Sequence, residues 1–173
     1  MLRGKRYFKY ALLAALILLT ALTQNAFLPA FGARHTGWLL LALLTAVAMY
    51  EPELYTAAFA LLAGVLWDLA SPLPDGTVAL FLTVYGCACS LLGRCLFRRT
   101  LLTAAVFCGG GGLLFCLLTI LLRYAVKDAG ALPGVALRAL LPSLLLTAVS
   151  LPVFYFLIRA IEKRSGAKAG QTP

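Results

Sequence analysis

The 173-residue sequence is poor in charge, poor in acids and nearly devoid of histidine. Only 12% of its residues are charged, and six Asp and Glu stand against fifteen Lys and Arg. A soluble domain needs a polar exterior, so this scarcity of charge argues against that class. No motif places a nucleophile and an orienting acid around the single His35, and no D-x-x-D pair lies within an apolar run. We therefore expect a protein that is not an enzyme.

Cysteine spacing gives no sign of a metal site or a disulfide framework. All five cysteines fall in or beside two apolar runs, and Cys87-x-Cys89 has no histidine or carboxylate near it in sequence. We expect them to be small packing residues, with no metal and no cofactor. The five are Cys87, Cys89, Cys95, Cys108 and Cys116.

Long, unbroken apolar runs are what the sequence does contain. Hydrophobic residues make up 62% of the chain, and its mean hydropathy is +0.95. Barrel strands would alternate apolar and polar residues, so these runs predict membrane-spanning helices. The fold expected is an all-α, polytopic transmembrane bundle of six spans in a single domain, residues 1–164, with a flexible cytoplasmic tail, residues 165–173. The predicted spans are Tyr10–Leu28, Gly37–Tyr50, Leu54–Leu69, Thr77–Phe97, Leu101–Leu122 and Ala139–Ile158.

The second and third runs are short, which leaves a re-entrant hairpin as an alternative to two crossings. The hairpin would place Glu51-Pro52-Glu53 at its tip inside the membrane. Each central acid would cost about 3 kcal/mol there. Two short crossings with both acids in water are therefore preferred.

The distribution of basic residues predicts the orientation. With both termini in the cytoplasm, the inner side carries eleven Lys and Arg and the outer side four, which accounts for all fifteen. The net charge of +9 is thus expected to meet anionic lipid headgroups, and no nucleic-acid partner is expected. The outer four are Arg34, Arg123, Lys127 and Arg138.

One helical face of the third run carries the most informative residues. Ala60, Gly64 and Asp68 recur every four residues, so two small side chains and an acid share this face. Small residues allow a neighbouring helix to approach closely, and the acid would then meet that helix. We expect the face to dock a helix of this chain or of a partner. The alternative role for Asp68 is an interfacial carboxylate that reaches water or caps the following turn.

Further packing candidates lie on other runs. Gln24 and Asn25, near the outer end of the first run, are expected to hydrogen-bond other helices. Gly86, Ser90 and Gly93 form a second small-residue stripe on the fourth run. The four glycines at 109–112 have neither the Lys-Ser/Thr nor the strand of a phosphate-binding loop, so they predict close packing or local unwinding.

These residues together resemble the MreD family of rod shape-determining membrane proteins along nearly the whole chain. The family has a Gln near the end of the first span, matched by Gln24, and a Gly-x-x-x-Gly-x-x-x-Asp pattern, matched by Gly64 and Asp68 with Ala60 in the first place. Gly76 then leads into a span with the pair Tyr85-Gly86. A late Pro152-Val-Phe-Tyr-Phe stretch also matches.

The resemblance implies a non-enzymatic scaffold in the bacterial cytoplasmic (inner) membrane. It implies action with MreC, RodA, the class B penicillin-binding transpeptidase and the MreB filament in lateral peptidoglycan synthesis. The alternative is the substrate-binding component of an energy-coupling-factor vitamin transporter, in which Ala11-x-x-x-Ala15 would dock the coupling subunit. A vitamin pocket needs several converging polar side chains, and Gln24, Asn25 and Asp68 are a small set. A membrane chaperone or assembly factor is a third possibility.

Overall fold

Six α-helices and one π-helical turn make up the part of the chain that the structure describes. The computed structural model describes residues 2–27, 38–71, 74, 76–95, 100–126 and 133–165. The helices are α1 (Leu2–Leu22), α2 (Leu39–Ala48), α3 (Glu53–Asp68), α4 (Thr77–Cys95), α5 (Leu101–Val126) and α6 (Pro133–Ser165), and α1 continues into the π-helical turn Thr23–Phe27. No strand occurs among the described residues, which confirms the all-helical prediction. The expected tail lies outside them except for Ser165, the last residue of α6.

Helix lengths set which segments are able to cross a bilayer. Two described segments are long and apolar enough, Tyr7–Ala26 and Leu101–Leu122. By contrast, α2 has ten residues and covers about 15 Å, half of a hydrocarbon core of about 30 Å. The glycines at 109–112 lie inside the continuous helix α5, so the expectation of local unwinding there is wrong.

The short helix α2 is the centre of the fold. Every residue from Leu40 to Met49 is at most 3% exposed. This helix contacts all five others. Its sequence is apolar on every side apart from Thr45, whose hydroxyl donates to the carbonyl of Leu41 at 2.7 Å. A helix that is hydrophobic all round belongs in an interior, which is where α2 lies.

Opposite charges meet where α1 begins and α2 ends, a region we call the Lys9 end of the bundle. The ammonium of Lys9 lies 2.6 Å from Oε1 of Glu51, and both side chains are more than nine-tenths buried. The Ser90 hydroxyl of α4 donates to the backbone carbonyl of Glu51 at 3.1 Å. The expectation that both acids lie in water is therefore wrong for Glu51. Pairing with Lys9 offsets the cost of burying its charge.

The opposite end, which we call the Asp68 end, brings together the last turns of α1 and α3 and the first residues of α2 and α4. The Asn25 side-chain amide donates to the carbonyl of Leu66 at 3.0 Å. The backbone N–H of Trp38 donates to the Thr147 hydroxyl of α6 at 2.9 Å. At this end, Phe115 of α5 packs against the rings of Trp38, Trp67 and Phe81.

Candidate functional site

The small-residue face of α3 packs against α4 of the same chain. A methyl group built on Gly64 would overlap the Cα of Ala79, so only glycine allows this approach of the two backbones. One built on Gly86 would lie 3.2 Å from Cβ of Ala60 and 3.4 Å from Cγ2 of Thr56. Ala60, Gly64 and Gly86 are all buried in this interface, the most extensive between any two helices. The face is therefore filled from within the chain.

Asp68 caps the N-terminus of α4, the helix that packs on the small-residue face of α3. Its Oδ1 accepts the backbone N–H of Val78 at 3.1 Å, and its Oδ2 accepts that of Ala79 at 2.9 Å. The residue preceding α4 is Gly76, which has no side chain to cap with and adopts φ +84°, a conformation that L side chains rarely adopt. A carboxylate at the end of α3 thus satisfies the first amides of α4 and meets the positive end of its dipole.

The π-helical turn of α1 carries two amide side chains that bind other helices. Gln24, 1% exposed, accepts the backbone N–H of Leu40 on its Oε1 at 3.0 Å. Asn25 binds α3 through the Leu66 carbonyl. The two residues therefore tie the end of α1 to the first turn of α2 and the last turn of α3. Their predicted role in helix–helix hydrogen bonding corresponds to these contacts.

Tyr85 extends from α4 to two further helices. Its hydroxyl lies 2.9 Å from the Thr45 hydroxyl of α2 and donates to the Phe107 carbonyl of α5 at 2.9 Å. A methyl group built on Gly111 would overlap the Tyr85 ring. The lack of a side chain at Gly111 therefore allows the ring to pack against α5. Gly109 and Gly110 differ, because a methyl group on either would meet no atom of another described segment within 4 Å. A methyl group built on Gly93 would lie 3.6 Å from the sulfur of Met49, an ordinary van der Waals contact.

An apolar cavity of about 50 Å³ lies between α5 and α6, lined by residues that include Trp38, Gly109, Gly112 and Leu151. The four cysteines whose side chains are described, Cys87, Cys89, Cys108 and Cys116, are free thiols. Within the described helices, no three of His, Cys, Asp and Glu come together as a metal site would require.

Comparison with known families matches residues 5–164 to the family model described as rod shape-determining protein MreD. The chain belongs to the MreD family. No curated protein and no solved structure matches it. Membership of the MreD family indicates a part in rod shape determination, and the apolar helices Tyr7–Ala26 and Leu101–Leu122 fit association with a membrane.

The residues that carry the MreD resemblance lie at helix junctions of this chain. Gln24 and Asp68 bind the first turns of α2 and α4, and Gly64 and Gly86 allow α3 and α4 to touch. Tyr85 joins α2, α4 and α5. The matched MreD pattern therefore coincides with the contacts that hold this bundle together.

Sequence reasoning missed the ion pair between Lys9 and Glu51. Lys9 is one of the eleven inner basic residues for which the charge distribution predicts a position at lipid headgroups, and the two preferred crossings predict Glu51 in water. A signal was present, since the predicted topology places both residues on the same side of the membrane. Nothing in the sequence indicated that Tyr85 lies against Gly111, because that contact depends on how α4 and α5 cross.

Proposed function

We propose that this MreD family member is a non-enzymatic scaffold of the cell-elongation complex, held in the bacterial inner membrane by six spans with both termini in the cytoplasm. Its role is to position the proteins of lateral peptidoglycan synthesis and so regulate cell shape. MreC is the first partner proposed, with RodA, the class B penicillin-binding transpeptidase and MreB as further members. The match to the rod shape-determining family over residues 5–164 carries the proposal.

The contacts at the two ends of the bundle support the proposed topology. The ion pair between Lys9 and Glu51 puts the start of α1 beside the end of α2, and the bond from Leu40 to Gln24 puts the end of α1 beside the start of α2. These two helices therefore run antiparallel. The excess of basic residues at the termini then favours the Lys9 end as the cytoplasmic one.

The surfaces open to a partner lie outside the α3–α4 interface. Because that interface is closed within the chain, a partner helix would have to contact faces whose apolar side chains are exposed. Such faces run along α1, α5 and α6, and they include Leu18, Leu19, Leu113, Leu117, Val149 and Val153. The contact with MreC is proposed to involve one of these faces.

Site-specific photocrosslinking in living rod-shaped cells tests the proposal. A photoreactive residue is placed at Leu18, Leu113 or Val149, one for each face, and at Leu82, which is fully buried, as a control. We expect MreC to be captured from at least one exposed face and from none at Leu82. Capture of no elongation protein from any face would count against the scaffold.

Complementation provides a readout that does not depend on capture. Rod-shaped cells depleted of their own MreD are expected to lose rod shape, and the wild-type chain is expected to restore it. No observation favours the vitamin-transporter alternative, which predicts that shape would stay round and that a vitamin would remain bound to the purified chain.

A further inference from the structure

The cavity between α5 and α6 reaches from the surface of the bundle into its interior. Its volume is about 50 Å³. Two of its lining residues, Ala105 and Ala148, are exposed, whereas Trp38, Gly112 and Leu151 are buried. The exposed residues are small, so they leave a mouth through which a group outside the bundle is able to enter.

The lining of this cavity suits hydrocarbon better than water. The one hydroxyl among its lining residues, that of Thr147, donates to the Ser143 carbonyl at 2.7 Å and accepts the Trp38 backbone N–H at 2.9 Å. A buried water needs about two to four polar partners, and an engineered apolar cavity of about 150 Å³ stays dry and binds benzene. At about a third of that volume, this cavity has room for the end of an acyl chain.

The depth of the cavity matches the thickness of one lipid leaflet. Arg123 directly follows the apolar segment Leu101–Leu122, and Gly112 lies eleven residues before it in the same helix. Eleven helical residues span about 17 Å. One leaflet contributes about 15 Å of hydrocarbon. A lipid whose headgroup lies level with Arg123 therefore has chains that end close to the cavity.

Arg123 and the cavity also share one face of α5. Eleven residues make about three helical turns, so the positions of Arg123 and Gly112 lie on the same side of the helix. Cys116 and Thr119 lie between them on this side, and both are half-buried. The Thr119 hydroxyl donates back to the Phe115 carbonyl at 2.8 Å. Because this hydroxyl is satisfied within α5, the path from Arg123 to the cavity suits a hydrocarbon chain.

Basic residues are concentrated where this path meets the outer surface. Of the four Lys and Arg expected on the outer side, three lie near the adjoining ends of α5 and α6 or between them, namely Arg123, Lys127 and Arg138. Positive charge on the outer side opposes the bias that orients the chain. An anionic phosphate at the membrane surface would give this charge a partner.

We propose that Arg123 and the cavity between α5 and α6 bind an anionic phospholipid of the outer leaflet. Its phosphate meets Arg123, and one acyl chain runs along α5 and ends in the cavity. The occupant is a lipid because a basic cluster and an apolar cavity lie one chain length apart on one helix face. The proposal rests on the six-span arrangement proposed above and goes beyond the scaffold role.

Titration of the purified, delipidated chain in detergent, followed by native mass spectrometry, tests the site with three lipids. Dioleoyl phosphatidylglycerol has a net negative charge and long chains. Dioleoyl phosphatidylcholine has the same chains and no net charge, and dihexanoyl phosphatidylglycerol has the charge on chains too short to reach the cavity. We expect the first to bind at least about tenfold more tightly than either of the others. Equal affinity for any of these pairs would overturn the site.

The substitution Gly109→Leu blocks the cavity, and Gly110→Leu is its matched control. A methyl group on either glycine would meet no other described segment within 4 Å, but of the two only Gly109 lines the cavity. We expect Gly109→Leu to weaken the binding of dioleoyl phosphatidylglycerol about tenfold and Gly110→Leu to leave it unchanged. Undiminished binding in Gly109→Leu, or an equal loss in both variants, would refute the site.

The substitution Arg123→Gln tests the headgroup. It should abolish the preference for dioleoyl phosphatidylglycerol over dioleoyl phosphatidylcholine. Arg159→Gln removes the same charge from an exposed position near the opposite end of α6 and should retain that preference. A preference that survives in Arg123→Gln would remove this residue from the proposal and leave the phosphate without its assigned partner, which overturns the site.

Tryptophan quenching in an unblocked cavity covers the case in which Gly109→Leu fails to fold. The sequence has two tryptophans, Trp38 and Trp67, and Trp38 lines the cavity. In Trp67→Phe, phosphatidylglycerol brominated near its chain ends should quench Trp38. Unlabelled dioleoyl phosphatidylglycerol should relieve this quenching, and dioleoyl phosphatidylcholine should not. Equal relief by both lipids, or no quenching, would contradict the proposal.

Photocrosslinking in cells separates the lipid from other occupants of the mouth. A photoreactive residue in place of Ala148, which is exposed at the mouth, should capture a phospholipid. Capture of no phospholipid, or of MreC or a second copy of this chain in its place, would overturn the assignment. Restoration of rods is scored separately, so loss of the lipid site and failure of the scaffold remain distinguishable.

Discussion

Lys9 and Glu51 form a buried ion pair between the first helix and the turn that follows the second. Their charged atoms lie 2.6 Å apart, and their side chains are 7% and 4% exposed. Removing one partner from such a pair leaves a charge buried without compensation, which costs more than the intact pair contributes. The pair therefore makes the packing of α1 on the bundle depend on charge complementarity.

Glu51→Gln is expected to lower the free energy of unfolding by about 3–5 kcal/mol, because the buried Lys9 ammonium then loses the opposite charge of the Glu51 carboxylate. The exchange Lys9→Glu with Glu51→Lys should recover part of this loss. Unfolding in mixed detergent micelles, followed by tryptophan fluorescence, measures both variants. Arg159→Gln, at an exposed position, is the matched control and should change stability little. An exchange variant no more stable than either single variant would contradict this account.

Asp68→Ala is expected to destabilise the protein by about 1–2 kcal/mol, because two amides of α4 lose their acceptor. Asp68→Asn keeps one oxygen and should lose roughly half as much. The same unfolding assay applies, with Leu69→Ala as control because Leu69 is 81% exposed. If Asp68→Ala proved neutral in stability but abolished rod shape, the carboxylate would have a role other than capping.

The glycines of this chain should respond to alanine in opposite ways. Gly64→Ala forces α3 away from Ala79, and Gly111→Ala displaces the Tyr85 ring, so each is expected to cost about 1–3 kcal/mol. The methyl group of Gly110→Ala would meet no other described segment within 4 Å, so this change should stabilise α5 by up to about 1 kcal/mol. Thermal melting of the three variants gives the comparison. A loss of stability in Gly110→Ala equal to that in Gly111→Ala would show that contacts do not govern these sites.

Gly64→Leu, by the same geometry, is a poor test of partner binding. Its side chain would separate α3 from α4 before any second protein is involved.

Tyr85→Phe is expected to lower the free energy of unfolding by about 1–2 kcal/mol, because the hydrogen bonds to Thr45 and Phe107 are lost. A melting curve compared with that of Tyr7→Phe, whose ring is 73% exposed, measures it. Equal curves would mean that the Tyr85 hydroxyl adds nothing.

Helix content and the small-residue face could be predicted from the sequence because they depend on local spacing. Runs of apolar residues predicted every helix, and the interval of four between Ala60, Gly64 and Asp68 predicted a face that receives another helix. The identity of that helix could not be derived in the same way. Whether α4 or a partner covers the face depends on the turn that includes Gly76, because this turn determines the direction in which the chain runs back from α3.

Glu51 shows why the remaining contacts lay beyond sequence reasoning. The free-energy cost of burying an acid is predictable from sequence. The stabilisation that it gains from an ion pair with a specific base is not, because that requires knowing which helices are neighbours. The length of α2 posed a similar problem. Its apolar run predicts a short crossing, but the run does not reveal that its ten helical residues are surrounded by five other helices.

The enclosure of α2 has a consequence for biogenesis. Second in chain order, it must wait for α5 and α6, the last two helices to be synthesised, before its surroundings are complete. Until then a helix of about 15 Å is too short to rest stably across a bilayer on its own. In the proposed membrane arrangement, we therefore expect α1 and α3, or the insertion machinery, to shelter this segment until α6 has been made, and we expect final compaction to be a late event.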